Sequence, residues 1–449
     1  MDVLSKTFYD QLVQLGSQRE EITPIIKERA TDFIKSLTIW QILALVSCLY
    51  WALTSFAART EDGYLKEWGD QWAMNTLWSH SEVPIKAISE NRNDQMGKYL
   101  EAVRKELDYA LEMEVPDAED WISIDVQLMI QKLLARLVGK MIVGKPACRS
   151  PEWMDLAEHF TEDFITASII MRLVPKWMHP LLTEVIPQRR RLRKRLQGVF
   201  NITDPCVARH EEAKMKRKQG LEIEEEDNMV AWILDNIKDQ DYVLKNLNKL
   251  VVVMLVPAAH TKSPTLHEEI LQVNKEHGEI GEKLPMKEWV TKLELLDSFF
   301  NGSQRLSQPL AITPNRYAVE DITFKDSLQV PKGALLGWVS IHNQIDSNIA
   351  PEPEKFDPMR SYGKRQVAAE ECHKHLAGQP SLENLTFGYG SQACPGRNIA
   401  ISILKMVVSR LLRDYEFKFA DDQSKPKNIY LLEFIIPDPK ARLMIRKRK

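Results

Sequence analysis

Hydrophobic and polar positions divide the chain unevenly. Residues 1–36 mix charged and polar side chains, and then residues 37–58 run without a charge, Gln41 being the one strongly polar side chain among them. That stretch is long enough to cross a bilayer, which takes about 20 apolar residues. Trp40, Tyr50 and Trp51 suit the two interfaces; a buried core helix is the competing reading. Residues 59–95 alternate tryptophans and acids with no period. From about residue 96 the spacing becomes helical. Residues 98–113 and 124–142 read as amphipathic helices, a turn spans Gly144 to Arg149, and another helix starts at Pro151. The basic run from Arg189 to Arg195 lies on a further helix, and residues 216–228 read as an exposed loop. Lys249 to Val256 is a continuous apolar run, so its helix is deeply buried, with Pro257 kinking it. An amphipathic helix is expected over residues 287–306. Ile399, Ile403, Val407, Val408, Leu411 and Leu412 mark one more after Gly396.

Composition narrows the class. The 449 residues suffice for one large domain or two smaller ones. Sixty Lys and Arg against 63 Asp and Glu leave a net charge of −3, which points away from nucleic acid. The start of the chain lacks the layout of a secretory signal. Cys48, Cys148, Cys206, Cys372 and Cys394 are scattered and odd in number, so they form no disulfide framework and suit a reducing compartment. The Cys372-His-Lys-His375 cluster has metal-ligand residue types, but an exposed loop is the favoured reading. The arginine run reads as a solvated helix face, with a membrane surface or a redox partner as the sharper alternative.

Phe387-Gly-Tyr-Gly-Ser-Gln-Ala-Cys394-Pro-Gly-Arg397 carries the clearest chemistry. Gly388 and Gly390 permit a tight backbone, and Pro395 fits a first helical turn. Cys394 is thereby expected at a helix N-terminus, where the dipole and free amides favour a thiolate. Such a thiolate is a good axial ligand for haem iron and donates density that favours O–O cleavage. A buried structural cysteine is the plainer alternative. Taken together, Phe387, Gly390, Cys394, Pro395, Gly396 and Arg397 resemble the haem-binding loop of the cytochrome P450 superfamily.

The resemblance covers roughly residues 96–449 and implies a mainly α fold with small β-sheets. It implies one haem b, with Cys394 as the iron ligand and Phe387, Gly390, Gln392 and Arg397 in the cofactor loop. Gln392 stands where the family usually has Arg or His. Arg316, after Pro314-Asn, resembles the family's propionate partner, and residues 319–324 and 330–333 the strands beside the haem. Residues 341–343 fit a short helix start, and residues 432–437 a hairpin reaching the substrate pocket. Pro257-Ala-Ala-His260-Thr261-Lys-Ser263 resembles the oxygen-activation segment. Thr261 is thus the implied proton relay, and His260, a group that titrates near neutrality, stands in the acid's place. One feature departs: the family's Glu-x-x-Arg appears as Gly302-Ser-Gln-Arg305. Arg305 and Arg360 would then face each other without a carboxylate, a loss of about 3–5 kcal/mol. Glycine inside a helix adds about 1 kcal/mol. Glu354 and Asp357 are the nearest acids able to compensate.

The implied organisation is a segment at 1–36, a transmembrane anchor at 37–58 and a haem monooxygenase domain at 59–449, abbreviated at its start. The implied location is the endoplasmic reticulum membrane, crossed once, with the catalytic domain cytosolic. Lys27, Arg29 and Lys35 before the span, against Arg59 and Lys66 after it, lean weakly the other way. With a cytosolic domain the sequons at Asn201, Asn301 and Asn384 are chance matches. The implied reaction is hydroxylation of a lipophilic small molecule with O2 and electrons from an NADPH–cytochrome P450 reductase. The His-Thr segment and residues 144–195 are similar to fungal members acting on terpenoid-type secondary metabolites. Gly302, Gln392 and the short start keep open a degenerate, non-catalytic relative; a haem-thiolate isomerase or peroxide-using enzyme shares the same fold.

Overall fold

The computed structural model describes residues 94–174, 178, 185–221, 228–236, 265–420, 426–431 and 433–448. The anchor expected at 37–58, the start of the catalytic domain and the segment 249–263 with His260 and Thr261 lie outside the described residues. Among the described residues, no helix is long and apolar enough to cross a membrane.

Helix α1 (Asp94–Glu114) and strand β1 (Ile122–Ile124) lead into α2 (Val126–Ile142) and α3 (Pro151–Leu173). Both later helices start on local signals. The Asp125 carboxylate accepts from the Leu128 amide at 3.0 Å, and the Ser150 hydroxyl from the Trp153 amide at 3.1 Å. Pro151 occupies the first turn, where its missing N–H costs nothing. From Leu133 to Ile142 every residue of α2 is buried, so this helix is enclosed rather than half-solvated. Glu106 of α1 is fully buried and accepts two bonds from Arg149, at 2.6 and 2.9 Å, with Lys145 at 3.3 Å.

Gly139 lets α2 and α3 approach closely. A Cβ there would lie 2.3 Å from Nε1 of Trp153, a fully buried ring whose N–H donates to the Ala135 carbonyl at 2.8 Å. Gly139→Ala therefore has to displace a hydrogen-bonded indole, at about 1–3 kcal/mol. A lowered urea midpoint is the expected readout; an unchanged one would mean that Trp153 swings aside freely.

Helix α4 (Pro187–Lys218) carries the arginine run and extends past residue 216, into the expected loop. The run is not simply a solvated face. Arg191 and Arg195, one helical turn apart, both reach Asp163 of α3, and Arg195 also donates to Asp155 at 2.8 Å. Asp163 and Arg189 are buried, and Arg190, Arg191, Arg193 and Lys194 are the exposed members. The sequence shows the basic stripe, but only packing brings α3's acids against it.

After α5 (Met229–Asn236) come α6 (Thr265–His277), α7 (Met286–Trp289) and α8 (Glu294–Leu306). The single helix expected over 287–306 is instead two helical pieces joined by a 3-10 turn at Val290–Lys292. The restart has a tertiary cause. The Glu269 carboxylate of α6 accepts the amides of Leu295 and Leu296 at 2.5 and 2.9 Å, capping α8 from another helix.

The sheets are small, as expected. Strands β2 (Asn315–Tyr317), β3 (Ile322–Thr323), β4 (Gln329–Val330) and β5 (Leu335–Gly337) form two antiparallel pairs, β2 with β5 and β3 with β4. Short helices α9 (Ser340–Gln344) and α10 (Arg360–Arg365) follow, then α11 (Arg397–Asp414). Strand β6 (Tyr415–Lys418) leaves α11 directly; β7 (Ile429–Leu431) and β8 (Phe434–Ile436) form the hairpin, and β9 (Leu443–Lys447) pairs antiparallel with both β6 and β1. One hydrophobic core joins α1, α2, α3, α4, α6, α8 and α11, with Tyr99, Leu133, Trp153, Trp289 and Met406 at its centre.

Candidate active site

The loop before α11 is tied at several points. Gly388 and Gly390 adopt φ of 74° and 72°, which side chains resist. The Cys394 amide donates to the Phe387 carbonyl at 2.8 Å and closes the loop, while the Phe387 ring packs on the core. Gly390–Gln392 forms a 3-10 turn, and the side chain of Gln392 lies outside the described structure. Arg397 opens α11, and its Nη1 donates back to the Cys394 carbonyl at 2.7 Å. Arg316 of β2 reaches across, its Nη2 donating to the Tyr389 carbonyl at 2.9 Å. Phe387, Gly390, Cys394 and Arg397 of one loop are thus joined by Arg316 from about 70 residues earlier in the chain.

Two details differ from the sequence-based expectation. The helix cap is Gly396, so Pro395 precedes the helix instead of opening it, and Cys394 lies just ahead of the cap. Cys394 is an exposed residue, yet burial pushes its thiol up from the usual range. The amides of Gly396 and Arg397 and the Arg397 charge pull it back. The helix terminus therefore acts in the expected direction, but desolvation outweighs it. Coordination removes that obstacle, because a metal-bound thiol is deprotonated outright.

The donor set fits a soft metal centre held through one sulfur. Cys394 is exposed, the Gly396 and Arg397 amides are aimed at its sulfur, and beyond its chain neighbours nothing lies within 4 Å of where a Gly390 Cβ would stand. By contrast Cys148 and Cys206 are buried, and Cys206 donates to the Ile202 carbonyl. The Cys372–His375 cluster forms no metal site: among the described residues no group of three or more ligating side chains comes together. His375 instead pairs with Glu371 at 3.1 Å.

The Cytochrome P450 family profile matches residues 74–445. The chain belongs to the cytochrome P450 family. The match begins within residues 59–95, the stretch least legible in the sequence. The cytochrome P450 monooxygenase sdnB of Sordaria araneosa is 67% identical over 400 residues, covering 85% of this chain and 73% of the relative. The cytochrome P450 monooxygenase ATR4 of Stachybotrys chlorohalonatus is 32% identical over 395 residues, covering 84% and 74%. In structure, the retinoic acid-bound cyanobacterial CYP120A1 superposes with a TM-score of 0.53 at 17% identity, covering 81% of this chain and 78% of the other. The protein is accordingly a haem-dependent P450 monooxygenase with the mainly helical P450 fold, similar to fungal members.

Behind the P450 loop, Arg305 and Arg360 do face the same segment, but their partners differ from expectation. Arg305 donates to the Pro353 carbonyl and, at 2.9 Å, to that of Lys355. Arg360 donates to the carbonyls of Pro351 at 2.6 Å and Glu352 at 3.4 Å. Carbonyl dipoles of one short segment thus take the place of the missing carboxylate. Asp357 acts on Arg305 as a favourable charge, whereas Glu354 is exposed.

A second buried ionic cluster was not foreseen. Asp297 of α8 accepts from Arg365 of α10 at 3.0 Å, from Lys405 of α11 at 2.9 Å and from the Ala377 amide at 3.0 Å. All three side chains are buried. Asp297 and Lys405, charged positions among buried residues of their helices, were the available signal.

Proposed function

We propose that this chain is a membrane-anchored P450 monooxygenase that hydroxylates a lipophilic, terpenoid-type fungal secondary metabolite. The observation that carries the site is the Cys394 loop, with its exposed cysteine and the Gly396 and Arg397 amides aimed at the sulfur. Cys394 Sγ would hold the iron. Those two amides stabilise the thiolate charge, and Arg397 and Arg316 fix the loop through its carbonyls. Arg316 and Gln392 would be the residues to meet the haem propionates. Haem bound there would supply O–O cleavage, the chemistry by which one oxygen atom of O2 enters a C–H bond and the other leaves as water. Two electrons come from an NADPH–cytochrome P450 reductase. The hydroxyl of Thr261, with His260 beside it, relays the two protons. The apolar span 37–58 anchors the chain in the endoplasmic reticulum membrane with the catalytic domain on the cytosolic side.

The carbonyl partners of Arg305 and Arg360 favour an active enzyme over a degenerate one, because those guanidiniums keep strong acceptors despite Gly302. The decisive experiment is the carbon monoxide difference spectrum of the reduced, membrane-expressed protein. A strongly red-shifted Soret band is expected. A band of neutral ligation, or no haem, would refute the reading; with the expected band, terpenoid substrates are screened with NADPH and reductase.

A further inference from the structure

The missing side chain at Gly302 lets an aromatic ring come close. Gly302 is buried on α8, and a Cβ added there would lie 3.2 Å from Cε2 and 3.8 Å from Cδ2 of Phe356. The Asp357 carbonyl would be 3.4 Å away. Phe299, one turn earlier on α8, meets the same ring edge to face, with centroids 5.1 Å apart and planes at 77°. Two positions of α8 thus hold Phe356.

The backbone that carries Phe356 also receives the two arginines. Arg305 donates to the carbonyls of Pro353 and Lys355, and Arg360 to those of Pro351 and Glu352. The Lys355 amide donates to the Glu352 carbonyl at 3.0 Å, which folds the segment into a turn. A carbonyl serves a guanidinium only within a narrow range of distance and angle, so its placement matters. Gln304, the neighbour of Arg305, connects this region to the cofactor loop. It accepts from Asn384 at 3.4 Å, the Thr386 amide donates to the Asn384 side chain at 3.2 Å, and Phe387 accepts from the Cys394 amide.

We infer that Phe356 is a positioning residue for the haem site: its ring, seated against Gly302, sets the carbonyls of residues 351–355 where Arg305 and Arg360 meet them. Glycine at 302 is then the fitted partner of Phe356. The inference takes haem at Cys394 from the functional reading above and needs neither its substrate nor its anchor.

The test is a double-mutant cycle on the purified, full-length protein, with Gly302→Ala and Phe356→Ala. Two quantities are read: the urea midpoint, and the rate at which haem passes to excess apomyoglobin. Alanine is the better helix former, so a glycine without a fitted partner would gain stability from Gly302→Ala. Here the methyl meets the ring, and Gly302→Ala is expected to lower the midpoint and to speed haem transfer about tenfold. Phe356→Ala should speed transfer by at least about tenfold. With the ring gone, adding Gly302→Ala should raise the midpoint, a reversal of sign. Gly139→Ala, between α2 and α3, is the control: it lowers the midpoint but should leave haem transfer within about twofold. Three results would each overturn the inference: a Gly302→Ala midpoint at or above the parent's, an equal cost in both backgrounds, or haem transfer no faster in Phe356→Ala than in Gly139→Ala. Phe356→Leu, which draws back from Gly302 but stays apolar, takes the place of Phe356→Ala if that variant does not fold. A parent without haem would refute the functional reading, while the midpoints would still decide the pairing of Phe356 with Gly302.

Discussion

Asp297→Ala is expected to destabilise the folded chain by about 3–5 kcal/mol, the cost of removing one member of a buried ionic cluster. Asp297, Arg365 and Lys405 are each less than a tenth exposed, so the two cations left behind cannot be solvated without opening the structure. Their remaining acceptors are neutral carbonyls: Glu294 for Arg365 at 2.8 Å and Val290 for Lys405 at 3.2 Å. The Ala377 amide also loses its acceptor. Asp297→Asn should be nearly as damaging, because its amide turns N–H groups towards cations. Chemical denaturation followed by circular dichroism measures the loss. Since α8, α10 and α11 meet here, haem retention should fall in parallel. Replacing all three together, by Asp297→Leu, Arg365→Met and Lys405→Met, should recover most of the stability, since a buried cluster rarely outperforms well-packed apolar groups. A single Asp297→Ala loss below about 1 kcal/mol would show that water reaches both cations.

Cys394→Ala is expected to eliminate the red-shifted carbon monoxide band completely and monooxygenase turnover with it. No other cysteine can substitute among those described. Cys148 and Cys206 are buried in the core, and Cys372 stands in a different segment. The loop itself should survive. Its closure depends on the backbone bond from residue 394 to Phe387, on Arg397 and on Arg316, none of which uses the sulfur. The variant should therefore unfold at nearly the same denaturant concentration as the parent while losing thiolate ligation. An unchanged spectrum would end the assignment of Cys394. A collapse in stability with the spectrum would show instead that the residue is structural.

Much of the helical pattern was legible because its signals are local. Ser150 and Asp125 cap the helices they precede, and the apolar spacing after Gly396 reports α11 almost to the residue. The cofactor loop was legible for a similar reason: Gly388, Gly390 and Cys394 act through backbone geometry within eleven residues. The expected helix 287–306 failed where a distant carboxylate intervened. No window on that sequence contains Glu269, yet Glu269 provides the acceptors that restart α8. The arginine run reads correctly as mostly solvated, but its pairing with Asp155 and Asp163 was not legible, because those acids belong to another helix.

The sequence by itself determined the P450 family, the thiol-bearing loop, the small strand pairs and the closing hairpin. The loop rests on residue types with intrinsic preferences, glycine at positive φ and a cysteine beside a helix start, whereas the family, the strand pairs and the hairpin follow from what the motif resembles. Only the tertiary structure decided how buried charge is compensated. Arg305 and Arg360 found carbonyls between Pro351 and Lys355, and Asp297 found Arg365 and Lys405. Electrostatic pairing acts through space between helices, and desolvation makes each partner depend on where the others come to lie.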